Sequence, residues 1–225
     1  MSKNTIIKYI KQLDSPVFTT RGLSDISQKS PSTVTQSLNF LCRQGVVKKL
    51  YRGIWTEVTN KQISPFMLIP HLFKSNRVYV SFLSALHLHG MIEQIPQTIT
   101  LASTTHTRKI KTAVGTFIVH KISPGYFFGF DWYKETEDFL LAKPEKALAD
   151  CLYLFTRKKK QYGFFPELNL KKPFSIKKVE AYICRIPDKN VRTLAQSRLK
   201  EILENQKTGV NKRGIKNRVS SIVGK

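Results

Sequence analysis

Apolar positions recur along the chain with two different periods. Residues 5–13 carry Ile6, Ile7, Ile10 and Leu13 three and four apart, which predicts an amphipathic helix. Thr19-Thr20 opens a shorter helix containing Leu23 and Ile26, and Gln28-Lys29-Ser30 reads as a turn. Ser30 can cap the next helix, and Pro31 suits its first position. At about 100° per residue Val34, Leu38 and Leu41 then share one face, while Ser32, Gln36, Asn39 and Arg43 share the opposite one. Gly45 stops this helix. Val46-Val47 and the run KKLYRGIW predict a short hairpin turning near Arg52-Gly53.

Helix, short helix, turn, helix and basic hairpin is the layout of a winged helix-turn-helix, in which the last helix enters the major groove of DNA. On that layout Ser32, Thr33, Thr35, Gln36 and Asn39 are candidates for contacts near base edges. Lys29, Arg43, Lys48, Lys49 and Arg52 are candidates for holding phosphates. The same layout also serves as a protein-docking module.

Beyond a polar bridge at residues 58–62 the pattern becomes mixed. Ser64-Pro65 opens a predicted helix through Phe73, Val78-Tyr79-Val80 favours a strand, and Ser81 can cap the helix SFLSALHLHG. Strand-like runs follow at residues 97–102, 115–122 and 138–142, and Pro144 opens the helix PEKALADCLYLF. Residues 175–186 and 188–205 predict two more helices. The second carries Val191, Leu194, Ala195, Leu199, Ile202 and Leu203 on one side, so it must dock on something. Residues 207–225 have little periodic apolar content and read as a mobile basic tail. The expected fold class is α+β: a winged helix-turn-helix over residues 1–60, a small mixed α/β domain over 61–157 and a basic helical C-terminal region over 158–225.

Charge sharpens this picture. The 225 residues hold 38 basic and 15 acidic side chains, a formal net charge of +23, which predicts an anionic partner. Residues 1–60 contribute +6, 61–155 contribute +3 and 156–225 contribute +14. The basic run Arg157, Lys158, Lys159 and Lys160, beside Tyr162, Phe164 and Phe165, is a possible second nucleic-acid surface; its alternative is a solvated loop with core aromatics. No signal peptide or membrane-spanning run is visible, and no membrane partner is expected. Cys42, Cys151 and Cys184 are odd in number and far apart. They read as thiols of a reducing compartment, which predicts a cytoplasmic location.

Chemistry-bearing motifs are sparse. His87 and His89 lie two apart, pointing about 200° from each other on a helix, so they cannot share an ion, and no metal site is expected. Glu145, Lys146 and Asp150 fall on one predicted helix, where Glu145 suits the first turn. Phosphate-binding loops, nucleophile elbows and zinc-protease motifs are missing, so neither an enzyme nor a cofactor is expected.

The blocks YVSFLSALHLHGMIEQIPQTITLAS from Tyr79 and FLLAKPEKALADCLYL from Phe139 carry a resemblance. They resemble the AbiEi antitoxin family, the transcriptional-regulator half of a two-gene toxin–antitoxin system. The matching positions include Tyr79, Val80, Ser81, Ser84, Ala85, Leu86, His89, Gly90, Gln94, Pro96, Pro144, Glu145, Lys146, Ala147, Leu148 and Asp150. The resemblance spans roughly residues 5–156. It implies a repressor that binds inverted repeats in double-stranded DNA of its own promoter. It also implies antagonism of a nucleotidyltransferase-like toxin without a stable complex. The competing expectation is a non-catalytic RNA- or protein-binding module that docks through the winged helix and the basic C-terminal region.

Overall fold

The computed structural model describes residues 4–59, 63–73, 78–133, 139–157, 165–170 and 173–207. The fold is mixed α and β, with two sheets and two buried apolar clusters.

The N-terminal part follows the apolar periodicity closely. Helix α1 (Asn4–Leu13) precedes strand β1 (Val17–Thr19), and α2 (Thr20–Ser27) leads to α3 (Pro31–Arg43). Strands β2 (Val47–Tyr51) and β3 (Ile54–Glu57) form the hairpin. The caps are local and sequence-coded. Thr19 accepts the Gly22 N–H at the start of α2, and Ser30 accepts the Thr33 N–H at the start of α3. At the end of α3, Val46 N–H returns to Leu41 O and Gly45 N–H to Cys42 O, with Gly45 at φ 73°. That double bond is a Schellman stop, which favours glycine at the left-handed position. In α2, Ile26 is exposed, and Ser24 and Ser27 take inner positions beside Leu23. Their hydroxyls bond to the Lys29 and Leu23 carbonyls, so short polar groups close the tight α2–α3 turn where a branched chain would not fit.

Strand β1 was not foreseen. Its three residues add a third strand, giving the order β1-β3-β2. The register places Phe18 beside Trp55 and Val17 beside Thr56. Successive residues point to opposite faces of a sheet. Phe18, Val47 and Trp55 therefore meet the helices, in a cluster with Ile6, Ile10, Leu23, Val34, Leu38 and Leu41. Val17, Leu50 and Ile54 point the other way and join the large core of the following residues. This small sheet is thus buried on both faces, which explains three consecutive buried residues at Ile54, Trp55 and Thr56.

The larger sheet has six strands in the order β6-β7-β5-β4-β9-β8. They are β4 (Val78–Val80), β5 (Ile99–Ser103), β6 (Arg108–Thr112), β7 (Gly115–Lys121), β8 (Phe130–Trp132) and β9 (Leu140–Ala142). Strands β6 and β8, both at sheet edges, carry too many charged or exposed residues to show as apolar runs in sequence. The helix expected through Phe73 is instead a 3-10 turn (Pro65–Leu68) and the short helix α4 (Ile69–Leu72). Tyr79, Thr100, Ala102 and His120 share one sheet face by register, while Val80, Leu101, Phe117 and Val119 share the other. The first face meets α5 (Phe82–Leu88) and α6 (Pro144–Arg157), since Thr100 bonds to Ser84 and Tyr79 to Asp150.

Helices α7 (Ile176–Cys184) and α8 (Lys189–Lys207) pack against α6. Val179, Ile183, Ile186, Ala195 and Leu199 belong to the same core as the large sheet, so residues 176–207 complete that core. Leu194, expected on the docked side of α8, is 46% exposed because Ala195 and Leu199 set the contact line.

Candidate nucleic-acid interface

Helix α3 is anchored by Val34, Leu38 and Leu41, of which the first two are fully buried. That leaves Ser32, Thr33, Gln36, Asn39 and Arg43 exposed and Thr35 half-buried. The hydroxyls among them are already engaged. Ser30 Oγ lies 2.9 Å from Ser32 Oγ and 2.8 Å from Thr33 Oγ1, and Thr35 Oγ1 donates to Pro31 O. Gln36, Asn39 and Arg43 make no side-chain hydrogen bond among the described residues. Their amides and guanidinium form one stripe of uncommitted donors and acceptors, spaced for a single helix face.

The hairpin is fixed near its tip to Thr20, at the start of α2. Thr20 N–H donates to Gly53 O at 3.0 Å, and Trp55 Nε1 donates to Thr20 Oγ1 at 3.0 Å. The two lysines of β2 are separated by this geometry. Lys49 pairs with Trp55 and stands over its ring at 5.4 Å, on the helix-facing side. Lys48 pairs with Thr56 and stands on the side of Leu50 and Ile54, facing the large core. Both are exposed, as are Tyr51 and Arg52 at the tip, and Lys29 is half-buried in the α2–α3 turn. The structure therefore sets Lys49 on the helix-facing side of the hairpin and Lys48 on its other face.

In the second basic run, Arg157 ends α6, and its side chain and Lys158, Lys159 and Lys160 lie outside the described residues. Tyr162 and Phe164 do too. Phe165 is partly buried and packs on Phe155 at 5.0 Å between ring centroids, against the large core.

The motif residues of the larger unit meet in a buried polar network. Lys146 and Asp150, one turn apart on α6, form an ion pair with neither side chain exposed. Asp150 Oδ2 also accepts the Tyr79 hydroxyl at 2.9 Å and the Ser81 hydroxyl at 2.7 Å. The Lys146 ammonium lies 3.6 Å from the Tyr126 ring centre and 4.8 Å from that of Phe128, whose ring also receives Arg185 at 3.6 Å. Gly129, at φ 77°, passes close to the Lys146 stem; a Cβ there would sit 3.1 Å from Lys146 Cγ. Burial pushes the Asp150 carboxyl up and the Lys146 ammonium down from their ordinary values, and each charge opposes the shift of the other. Burial, then the Asp150 charge, pushes the Tyr79 phenol well up. Phe82, the residue after Ser81, sits at φ 56°, a strained position held from both sides by Ser81 and Thr100.

Glu145 faces away from this network, toward α7, where it accepts the Ser175 N–H and lies 4.0 Å from Lys178 Nζ. His89 caps α5 and its Nε2 lies 2.7 Å from Ala142 O. Sequence reasoning placed Lys146 and Asp150 on one helix but missed Tyr79, Ser81, Tyr126, Gly129 and Arg185. The available signal was the i, i+4 lysine–aspartate spacing in an otherwise apolar helix. A buried charge needs partners, and Tyr79 and Ser81 were the polar members of a β-favouring run.

Comparison with known proteins adds a fold relationship. The crystal structure of the RV2827C protein from Mycobacterium tuberculosis superposes with a TM-score of 0.56 over 89% of this chain and 75% of that one, at 14% sequence identity. The two chains share a fold. No protein-family profile matches the sequence, and no curated protein matches it. No helix among the described residues is long and apolar enough to cross a membrane.

Proposed function

We propose that the chain is a sequence-specific DNA-binding repressor whose N-terminal unit acts as a winged helix-turn-helix. The supporting observation is the outer face of α3. Gln36, Asn39 and Arg43 are exposed, aligned and uncommitted on a helix held rigidly by its opposite face. Amide side chains suit adenine edges, and arginine suits guanine or phosphate. Lys49 and Arg52 on the hairpin, with Lys29 in the preceding turn, supply backbone contacts that fix register without reading sequence. The net charge of +23 supplies long-range attraction to DNA.

The resemblance to AbiEi antitoxins extends this reading. On it, the chain represses its own operon through inverted repeats and counteracts a nucleotidyltransferase-like toxin encoded beside it. The network of Tyr79, Ser81, Lys146 and Asp150 gives residues of both resembling blocks a shared structural task, positioning α6 against the sheet.

The repressor reading is tested with Gln36→Ala and Asn39→Ala, measured on the chain's own upstream DNA and on random duplex of equal length. Each should lower affinity for the upstream fragment by about 1–3 kcal/mol and leave random-duplex binding nearly unchanged. Equal losses on both would contradict base reading by α3. The antitoxin reading is tested by co-expression with the neighbouring nucleotidyltransferase-like gene, where absence of growth rescue would refute it.

A further inference from the structure

Two stretches of the chain, residues 26–56 and 94–130, contain no aspartate or glutamate. The first carries Lys29, Arg43, Lys48, Lys49 and Arg52, and the second Arg108, Lys109, Lys111 and Lys121. They are far apart in sequence, yet the fold joins them. The pairing of β2 with β3 is irregular between Lys49 and Tyr51, and Leu50 at that irregularity accepts the backbone N–H of Ala113 at 2.9 Å. Ala113 sits in the turn between β6 and β7, whose ends pair as Thr112 with Gly115. The tip of one hairpin is thereby clasped to the outer side of the other.

Charge is arranged around this junction. Lys48 lies two residues before Leu50, and Lys111 two residues before Ala113, each about 7 Å along its strand. Lys109 continues the line on the same face of β6. Lys48, Lys109 and Lys111 are exposed, and none has a carboxylate within ion-pair distance among the described residues. Among the described residues, strand β6 is the edge of the six-stranded sheet, and its outer side carries no further strand. Lysines on an edge strand also serve to prevent strand-to-strand association. That purpose does not account for two acid-free stretches of chain meeting at one junction with their lysines unpaired among the described residues.

We propose that the DNA contact continues from the β2–β3 hairpin onto β6, where Lys109 and Lys111 hold phosphates of duplex flanking the segment read by α3. This rests on the DNA-binding reading above. The contact would be sequence-independent and would lengthen the stretch of duplex covered by one copy of the chain.

The test uses the full chain and a labelled random-sequence duplex of about 30 base pairs, titrated at several salt concentrations. Each phosphate contact adds about 0.9 to the slope of log affinity against log salt. The double variant Lys109→Gln with Lys111→Gln should therefore flatten the slope by roughly 2. A control, Lys189→Gln with Lys200→Gln on exposed positions of α8, removes the same charge and should leave the slope unchanged. Gel filtration checks that each variant keeps the parent's elution. An unchanged slope for the β6 variant, while Arg43→Gln still weakens binding, would overturn the β6 contact and leave the α3 reading standing. Equal flattening by both double variants would reduce the effect to net charge and overturn it as well. Failure of the parent chain to bind any duplex would overturn both readings together.

Discussion

Replacing Lys146 with methionine isolates the energetics of the buried network. Methionine keeps the length of the stem that packs against Gly129, so no cavity opens, and only the ammonium is lost. Asp150 is then left with no exposure, two hydroxyl donors and no countercharge. Breaking a buried pair by removing one partner typically costs about 3–5 kcal/mol. A domain of this size has a total stability of about 5–15 kcal/mol, so the loss would be about a fifth of it or more. The sign of the pH dependence follows from linkage. In the variant, burial holds the Asp150 carboxyl above its unfolded value, with only the Tyr79 and Ser81 hydroxyl donors left to oppose it. The folded state then binds a proton more tightly than the unfolded state, so the variant loses stability as pH rises from about 4. Urea denaturation at pH 5 and pH 8 measures this, with a larger deficit against the parent expected at pH 8. A deficit below about 1 kcal/mol at pH 8, or one equal at both pH values, would refute the claim that Asp150 is held as a desolvated, paired carboxylate.

Other consequences of the packing can be checked separately. A fragment of residues 1–59 would expose Val17, Leu50 and Ile54, forfeiting about 1.5–3 kcal/mol for each. It should lack a cooperative thermal transition, and a melt matching that of the full chain would contradict the shared sheet. Lys49→Ala should flatten the salt slope of DNA binding by about 0.9, and Lys48→Ala should act on longer duplexes only; identical effects on short duplexes would contradict their opposite facing. A thiol reagent should label exposed Cys184 first and Cys151 only on unfolding, since burial pushes the Cys151 thiol well up. Early labelling of Cys151 would show that α6 is not packed as described.

Helices α3 and α7 were legible in sequence because each carries an apolar stripe and a side-chain N-cap. Ser30-Pro31 and Gly45 mark α3 to within a residue or two, and the LCRQGVV run encodes its stop directly. The exposed stripe of α3 follows from the same periodicity. Strands β1, β6 and β8 were not legible, for they are short or charged, and β1 is held by a partner distant in the chain. The two-sided burial of the small sheet was hidden for a similar reason. An apolar run such as IW does not say which core each side chain joins. The opposed facing of Lys48 and Lys49 needs the strand register, which the sequence does not state. The convergence of Tyr79 and Ser81 on Asp150 spans about 70 residues and arises only once β4 lies over α6.

Competition binding of the full chain to its own upstream DNA and to random duplex of equal length, at two salt concentrations, tests the central claim most directly. The account predicts tighter binding to the upstream fragment, with a preference that persists as salt weakens both affinities. Equal affinities that collapse together with salt would mean that the basic surface grips nucleic acid without reading it. That result would contradict the role assigned to Gln36 and Asn39.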